Sequence, residues 1–232
     1  MCVNNAENGF CRPVEISATR SISELFLFRY HAEATEKLPG IVLPVDILLL
    51  AMANYLYVDN SNVWIEGMHV AAAARGFAPD VWAAVENKIC DYMWKIDFGR
   101  LHEFAGGKGK EIGRARLYGS RPPANDSLWK IAKERGFEVF VADRNVANKE
   151  KKIDTTITRD ITKDSYEFMK PGQDEVTLVA GDGDYVPVAE DLIERGCTFD
   201  VAFWDHANRE LKDACSNFIS LNQYLDYLAL HR

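Results

Sequence analysis

The stretch VTLVAGDGDY at 176–185 runs from a continuous apolar segment into two aspartates, Asp182 and Asp184, set among glycines. A short apolar run bounded by turn formers predicts a strand buried on both faces. A second stretch, YLYVDNSN at 55–62, has the same form and ends its apolar run at Asp59. Strands that are apolar on both faces belong in a parallel sheet covered by helices. In such sheets functional groups gather beyond the carboxyl ends of the strands. Asp59, Asp182 and Asp184 each stand at such an end.

The chain between and around these runs supports that plan. Ile112–Tyr118, Glu138–Ala142 and Phe199–Trp204 read as further strands. Pro79 and Asp80 open an expected helix with Val81, Val85, Ile89 and Met93 on one face. Helices are also expected over Asp97–Phe104, from Asn125 or Asp126 to Arg135, from about Ile153 to Phe168, and over Tyr185–Arg195. Asn208–Leu221 reads as a closing amphipathic helix with Leu211, Cys215, Phe218 and Ile219 inward. Alternation of strand and helix makes the fold class α/β with a central, mainly parallel sheet.

The chain has 232 residues with 47% hydrophobic content, enough for one substantial core. A formal net charge of -8 excludes a protein that coats nucleic acid through global charge. The five cysteines are odd in number and form no CxxC, so reduced thiols in the cytoplasm are expected instead of disulfides or structural zinc. The run IVLPVDILLLAMANYLYV at 41–58 is strongly apolar, but Pro44, Asp46 and Asn54 interrupt it, and no membrane partner is expected. Met52 opens MANYLYVDNSN like a protein start. Residues 1–51 are therefore expected to be a poorly ordered accessory extension or the product of a misassigned start codon, with the main domain over 52–232.

Carboxylates that converge on one spot repel each other, and hard divalent cations such as magnesium or manganese relieve that repulsion. Asp154, just after KEKK, is expected at a helix start where it could close the same pocket. Taken singly, an aspartate after a strand is more often a turn former or a helix cap. Other sites fit worse. GGKGKEIG at 106–113 matches neither dinucleotide nor P-loop spacing and precedes a strand. A calcium loop counted from Asp182 would need glutamate where Ile193 stands.

DNSN at 59–62, KKID at 151–154 and VAGDGDY at 179–185 resemble, in order and placement, the NYN domain of the PIN-like nuclease superfamily, most closely its LabA-like branch. The similarity spans roughly Tyr55 to Leu221. It implies a PIN-like Rossmannoid three-layer sandwich, with helices on both faces of the sheet. It also implies Mg2+- or Mn2+-dependent RNA cleavage leaving 5′-phosphate and 3′-hydroxyl ends. Carried over by position, Asp59, Asp154 and Asp182 match the metal-site acids, and Asp184 matches a second acid of the later motif. Asn62 would then hold a water on the metal or a substrate phosphate. Asp160 falls where the family often has an acid, yet six residues beyond Asp154 it faces elsewhere on a helix and suits a partner to basic neighbours. Ser216 departs from an acid that many relatives carry.

Between Arg100 and Arg121 six basic residues stand against two acids. Arg114, Arg116 and Arg121, with Lys149, Lys151 and Lys152, are the expected contacts to an RNA backbone. Solvated loop cations are the plainer alternative. Trp64 and Tyr185 could stack on bases, although aromatics more often fill cores. The expected partner is an RNA substrate, and the options for assembly include a homodimer. Two rival functions are a catalytically weak RNA-binding or regulatory module of this fold, and a phosphatase or nucleotide hydrolase on a doubly wound sheet.

Overall fold

The computed structural model describes residues 52–107, 109–120, 127–142 and 150–231, and the side chains of 150–152 are outside the description. The expected extension over 1–51 therefore lies outside the described residues. Strands β1 (Ala53–Asp59), β2 (Glu111–Ser120), β3 (Glu138–Ala142), β4 (Glu175–Val179), β5 (Thr198–Phe203) and β6 (Asn217–Ser220) form one sheet. Its order is β3-β2-β1-β4-β5-β6, and every neighbouring pair is parallel. Helices link the strands: α1 (Asn60–Ala74), α2 (Val81–Glu86), α3 (Phe98–Gly106), α4 (Ser127–Glu134), α5 (Glu150–Glu167), α6 (Val186–Glu194) and α7 (Arg209–Ala214). The chain winds outward from β1 to β3, then returns across the sheet to β4. The order therefore reverses between β1 and β4, which opens a crevice at their carboxyl ends.

β1 decides what each face of the sheet carries. Successive side chains on a strand point to opposite faces. Asn54 points to one face, where its amide donates to the carbonyls of Ala105 and Gly106 at the end of α3. Tyr57 points to the other, where its hydroxyl donates to Asp164 of α5 at 2.7 Å. Asp59, two residues on, shares the α5 face. The register places Arg116 beside Tyr57 and Tyr118 beside Asp59, so these β2 side chains meet α5 as well. Helix α5 is held down by Ile153, Ile157 and Ile161, all buried at i, i+4 spacing. Leu56, Val58, Leu178, Val179, Phe199 and Val201 fill the sheet's interior.

Three local expectations need correction. The helix opened by Asp80 ends at Glu86 and does not carry Ile89 or Met93. Lys88 adopts a left-handed φ of 56° while the Lys88 and Ile89 amides bond back to Val85 and Ala84, a cap that stops the helix. The closing segment is not one helix over 208–221. Asn208 caps the short α7, the chain becomes extended at Cys215, and Asn217–Ser220 pairs with β5 as an edge strand. The open edge of β5 offers hydrogen bonds that outweigh the helical spacing of Cys215, Phe218 and Ile219. Helix α1, for which the sequence reading assigns no element, starts directly from β1 because Asp59 is also its N-cap.

No helix among the described residues is long and apolar enough to cross a membrane. The end of the apolar run over 41–58 is the central strand β1. Among the described residues Cys90, Cys197 and Cys215 are free thiols, and Cys197 is buried.

Gly181, just after β4, lies against Phe203 at the end of β5; a Cβ there would overlap the aromatic ring. Gly181→Ala is expected to destabilise the protein by about 1–3 kcal/mol through overpacking. Chemical denaturation checks this, and an unchanged midpoint would contradict the tight approach.

Candidate active site

Asp59 ends β1 with its carboxyl buried beneath the crevice. Its Oδ1 accepts the Asn62 amide at 3.0 Å, which fixes the first turn of α1. Its Oδ2 lies 3.4 Å from the Tyr185 hydroxyl. The same hydroxyl donates to Asp154 Oδ1 at 3.1 Å. Asp154 stands in the second turn of α5, slightly inside the helix instead of at its first residue. Two carboxyls from a strand end and a helix therefore meet around one buried tyrosine hydroxyl.

Asp182 and Asp184 sit above this pair, on the turn that follows β4. Asp182 caps the 3-10 turn Gly183–Tyr185 by accepting the Asp184 amide at 3.1 Å. Both acids are exposed. They are close enough to raise the pKa of Asp154, after the larger effect of its own burial. Burial, with a further push from Asp154, raises the pKa of Asp59 to about 7. Burial and the adjacent carboxyls keep the Tyr185 hydroxyl protonated, as a donor.

The other acids of α5 show what is unusual here. Tyr118 donates to Asp160 at 2.9 Å, and Tyr57 donates to Asp164. Arg116 pairs with both Asp160 and Asp164, and Arg114 pairs with Asp164 at 2.8 Å. Each of those tyrosine–aspartate contacts is thus neutralised from β2. Tyr185–Asp154 has the same form, but its neighbour across the hydroxyl is Asp59, another acid. Among the described residues no cation pairs with Asp59 or Asp154.

The donor set fits a hard divalent cation: it is all oxygen, and it is acidic beyond its internal cations. Asp59 and Asp154 are the two acids that the fold brings together around one hydroxyl. Among the described residues no three Asp, Glu, His or Cys side chains are gathered as a ready ligand set. A cation on two carboxylates that keeps several of its waters is the arrangement magnesium commonly adopts.

Other expected contacts are placed differently. The Asn62 side-chain oxygen accepts the Gly181 amide at 2.8 Å, which ties α1 to the turn after β4. This bond uses the Asn62 oxygen to shape the site, while the NH2 donors of the side chain are separate from it. Arg114 and Arg116 are not free to hold RNA, because they complete the ion pairs with Asp160, Asp164 and Glu138. Lys110 pairs with buried Glu175 at the opposite, amino end of the sheet. Arg121 and Lys149 fall outside the described residues, and of Lys151 and Lys152 only the helical backbone is described. Asp160 does serve basic neighbours, Arg116 and Arg159. Tyr185 is fully buried and cannot stack on a base, whereas Trp64 is partly buried against the core. The importance of the Tyr185 hydroxyl was hidden in the sequence because its partners come from β1 and α5.

A family model described as NYN domain matches residues 60–222, more than half of the chain. The chain belongs to the NYN domain family. That makes it a PIN-like, nuclease-type module, and PIN-like nucleases generally use divalent metals. No curated protein matches the chain. A crystal structure of a protein of unknown function from Vibrio parahaemolyticus is similar, with a TM-score of 0.54 and 18% identity. The match covers 78% of this chain and 98% of that one, and at this identity it speaks for the fold. The NYN match includes Asp154, Asp182 and Asp184, and it begins one residue after Asp59.

The raised pKa of Asp59 has a sign that can be tested. Between the unfolded carboxyl value near 4 and the folded value of about 7, the native state retains a proton that the unfolded chain has released. Stability is therefore lost as pH rises through that window. Asp59→Asn keeps the helix cap and removes the buried charge. In chelator, its stability relative to wild type is expected to improve by about 1–3 kcal/mol between pH 5 and pH 8. Denaturation at both pH values checks this, and a pH-independent difference would contradict it.

Proposed function

We propose that this NYN domain is a Mg2+- or Mn2+-dependent endoribonuclease of the LabA-like branch, hydrolysing RNA phosphodiester bonds. The observation that carries the reading is the Asp59–Asp154 pair. Asp59 is buried and Asp154 half-buried; among the described residues no cation pairs with either, and they lie at the sheet's switch point, close enough to Asp182 and Asp184 for those acids to act on Asp154. A bound divalent cation supplies charge neutralisation, an acidified water and stabilisation of a phosphoryl oxygen. Asp59 and Asp154 would hold the cation, and Asp182 and Asp184 would add acidic oxygens from the mouth, as further ligands or to orient the attacking water. Asn62 keeps the turn carrying Asp182 fixed against α1. The products are 5′-phosphate and 3′-hydroxyl ends. Contacts to the RNA backbone fall to Arg121, Lys149, Lys151 and Lys152, because Arg114 and Arg116 are internally paired.

Two rival readings predict different results. A binding module of the same fold retains RNA without turning it over, and a phosphatase prefers a small phosphate ester. Incubation with pooled labelled RNA and Mn2+, beside a chromogenic phosphate ester, separates the three. The expected outcome is RNA cleavage that EDTA abolishes and that falls by about a hundredfold or more in Asp59→Asn and Asp182→Asn, as for loss of a central electrostatic group. EDTA-insensitive cleavage with full activity in both variants would overturn the proposal.

A further inference from the structure

The turn GDGDY contributes more than two exposed acids. Its last residue, Tyr185, is fully buried, and its hydroxyl reaches both carboxyls of the pair beneath. A hydroxyl has one proton, so it can donate to only one carboxylate at a time. It nevertheless fixes the position of Oδ2 of Asp59 and Oδ1 of Asp154 relative to one point. The Asn62 amide holds the remaining Asp59 oxygen, Oδ1. Asp59 is thus oriented from two sides, while the Tyr185 hydroxyl is a contact it shares with Asp154. The tyrosine is itself fixed, because its ring is in the core and its amide closes the turn onto the Asp182 carbonyl.

Two matched contacts on the same helix provide an internal contrast. Tyr57 and Tyr118 also donate to α5 aspartates, but Arg114 and Arg116 stand beside those acids and supply the positive charge. Around Tyr185 the opposing group is a second acid, so the hydroxyl stands between two carboxyls that also approach each other directly. We propose that Tyr185 is a positioning residue for the divalent cation, its hydroxyl orienting one carboxyl oxygen each of Asp59 and Asp154 toward a shared point. This rests on the metal-dependent reading of the site. Groups that orient metal ligands through hydrogen bonds typically change metal affinity by about 10–100-fold when removed.

The test is calorimetric titration of the full chain with Mn2+ alone, in wild type, Tyr185→Phe, Asp59→Asn and Tyr57→Phe. Phenylalanine keeps the ring and removes only the hydroxyl. Circular dichroism and metal-free thermal unfolding report the fold of each variant. The expected result is Mn2+ binding to wild type, roughly tenfold or more weaker in Tyr185→Phe. Tyr57→Phe removes an equivalent hydroxyl away from the site, so it lowers stability without changing Mn2+ affinity. Equal affinity in wild type and Tyr185→Phe overturns the positioning role while leaving the metal site standing. Equal losses in Tyr57→Phe and Tyr185→Phe also overturn it, since that is the signature of general loosening. No binding to wild type, or undiminished binding to Asp59→Asn, removes the metal reading itself and the positioning role with it.

Discussion

The structure depends on how it deals with negative charge between α5 and the sheet. An ionised carboxylate taken out of water costs several kcal/mol unless it is paired and hydrogen-bonded. Helix α5 brings Asp154, Asp160 and Asp164 against the strands, and each accepts a tyrosine hydroxyl. Arg114 and Arg116 reach across from β2 to Asp160 and Asp164. Those two arginines consequently belong to the fold and hold α5 against the sheet. Asp154 instead faces Asp59. Among the described residues the helix thus carries paired acids toward its carboxyl end and Asp154, without a cationic partner, toward its amino end, which lies at the switch point.

Topology places that end at the crevice where parallel sheets commonly carry their functional groups. The order β3-β2-β1-β4-β5-β6 places β1 and β4 side by side while their outgoing connections diverge. Asp59 leaves β1 and becomes the cap of α1; Gly181 and Asp182 leave β4 into a tight turn. The Asn62–Gly181 hydrogen bond joins these two exits. The close approach of Gly181 to Phe203 then ties the turn to β5. The turn that carries the acids at the mouth is consequently anchored at Gly181 by the Asn62 side chain and packed against the Phe203 ring.

Much of this was readable in the sequence, for reasons that are local. Apolar runs ending in Asp59 and in GDGDY reveal buried parallel strands, and strand ends locate the crevice. What the sequence concealed depends on partners distant along the chain. Arg114 and Arg116 looked like RNA contacts because a basic cluster in sequence says nothing of the acids on α5 that face it. Asn62 reads as a holder of water or phosphate, and its further contact, an oxygen accepting a backbone amide more than a hundred residues away, is invisible in the sequence. Asn217–Ser220 looked helical until the open edge of β5 was available to pair with it. Tyr185 was legible as a core aromatic, whereas its hydroxyl acquires meaning only when β1 and α5 meet over it.

The proposed function turns on whether Asp59 and Asp154 together hold a divalent cation. A crystal structure of the protein grown with Mn2+, with anomalous difference density recorded, tests it most directly. The account predicts a manganese peak in contact with the carboxyls of Asp59 and Asp154, beneath Asp182 and Asp184. Clear density for both side chains with no peak between them, or a peak only at another group of residues, would contradict it.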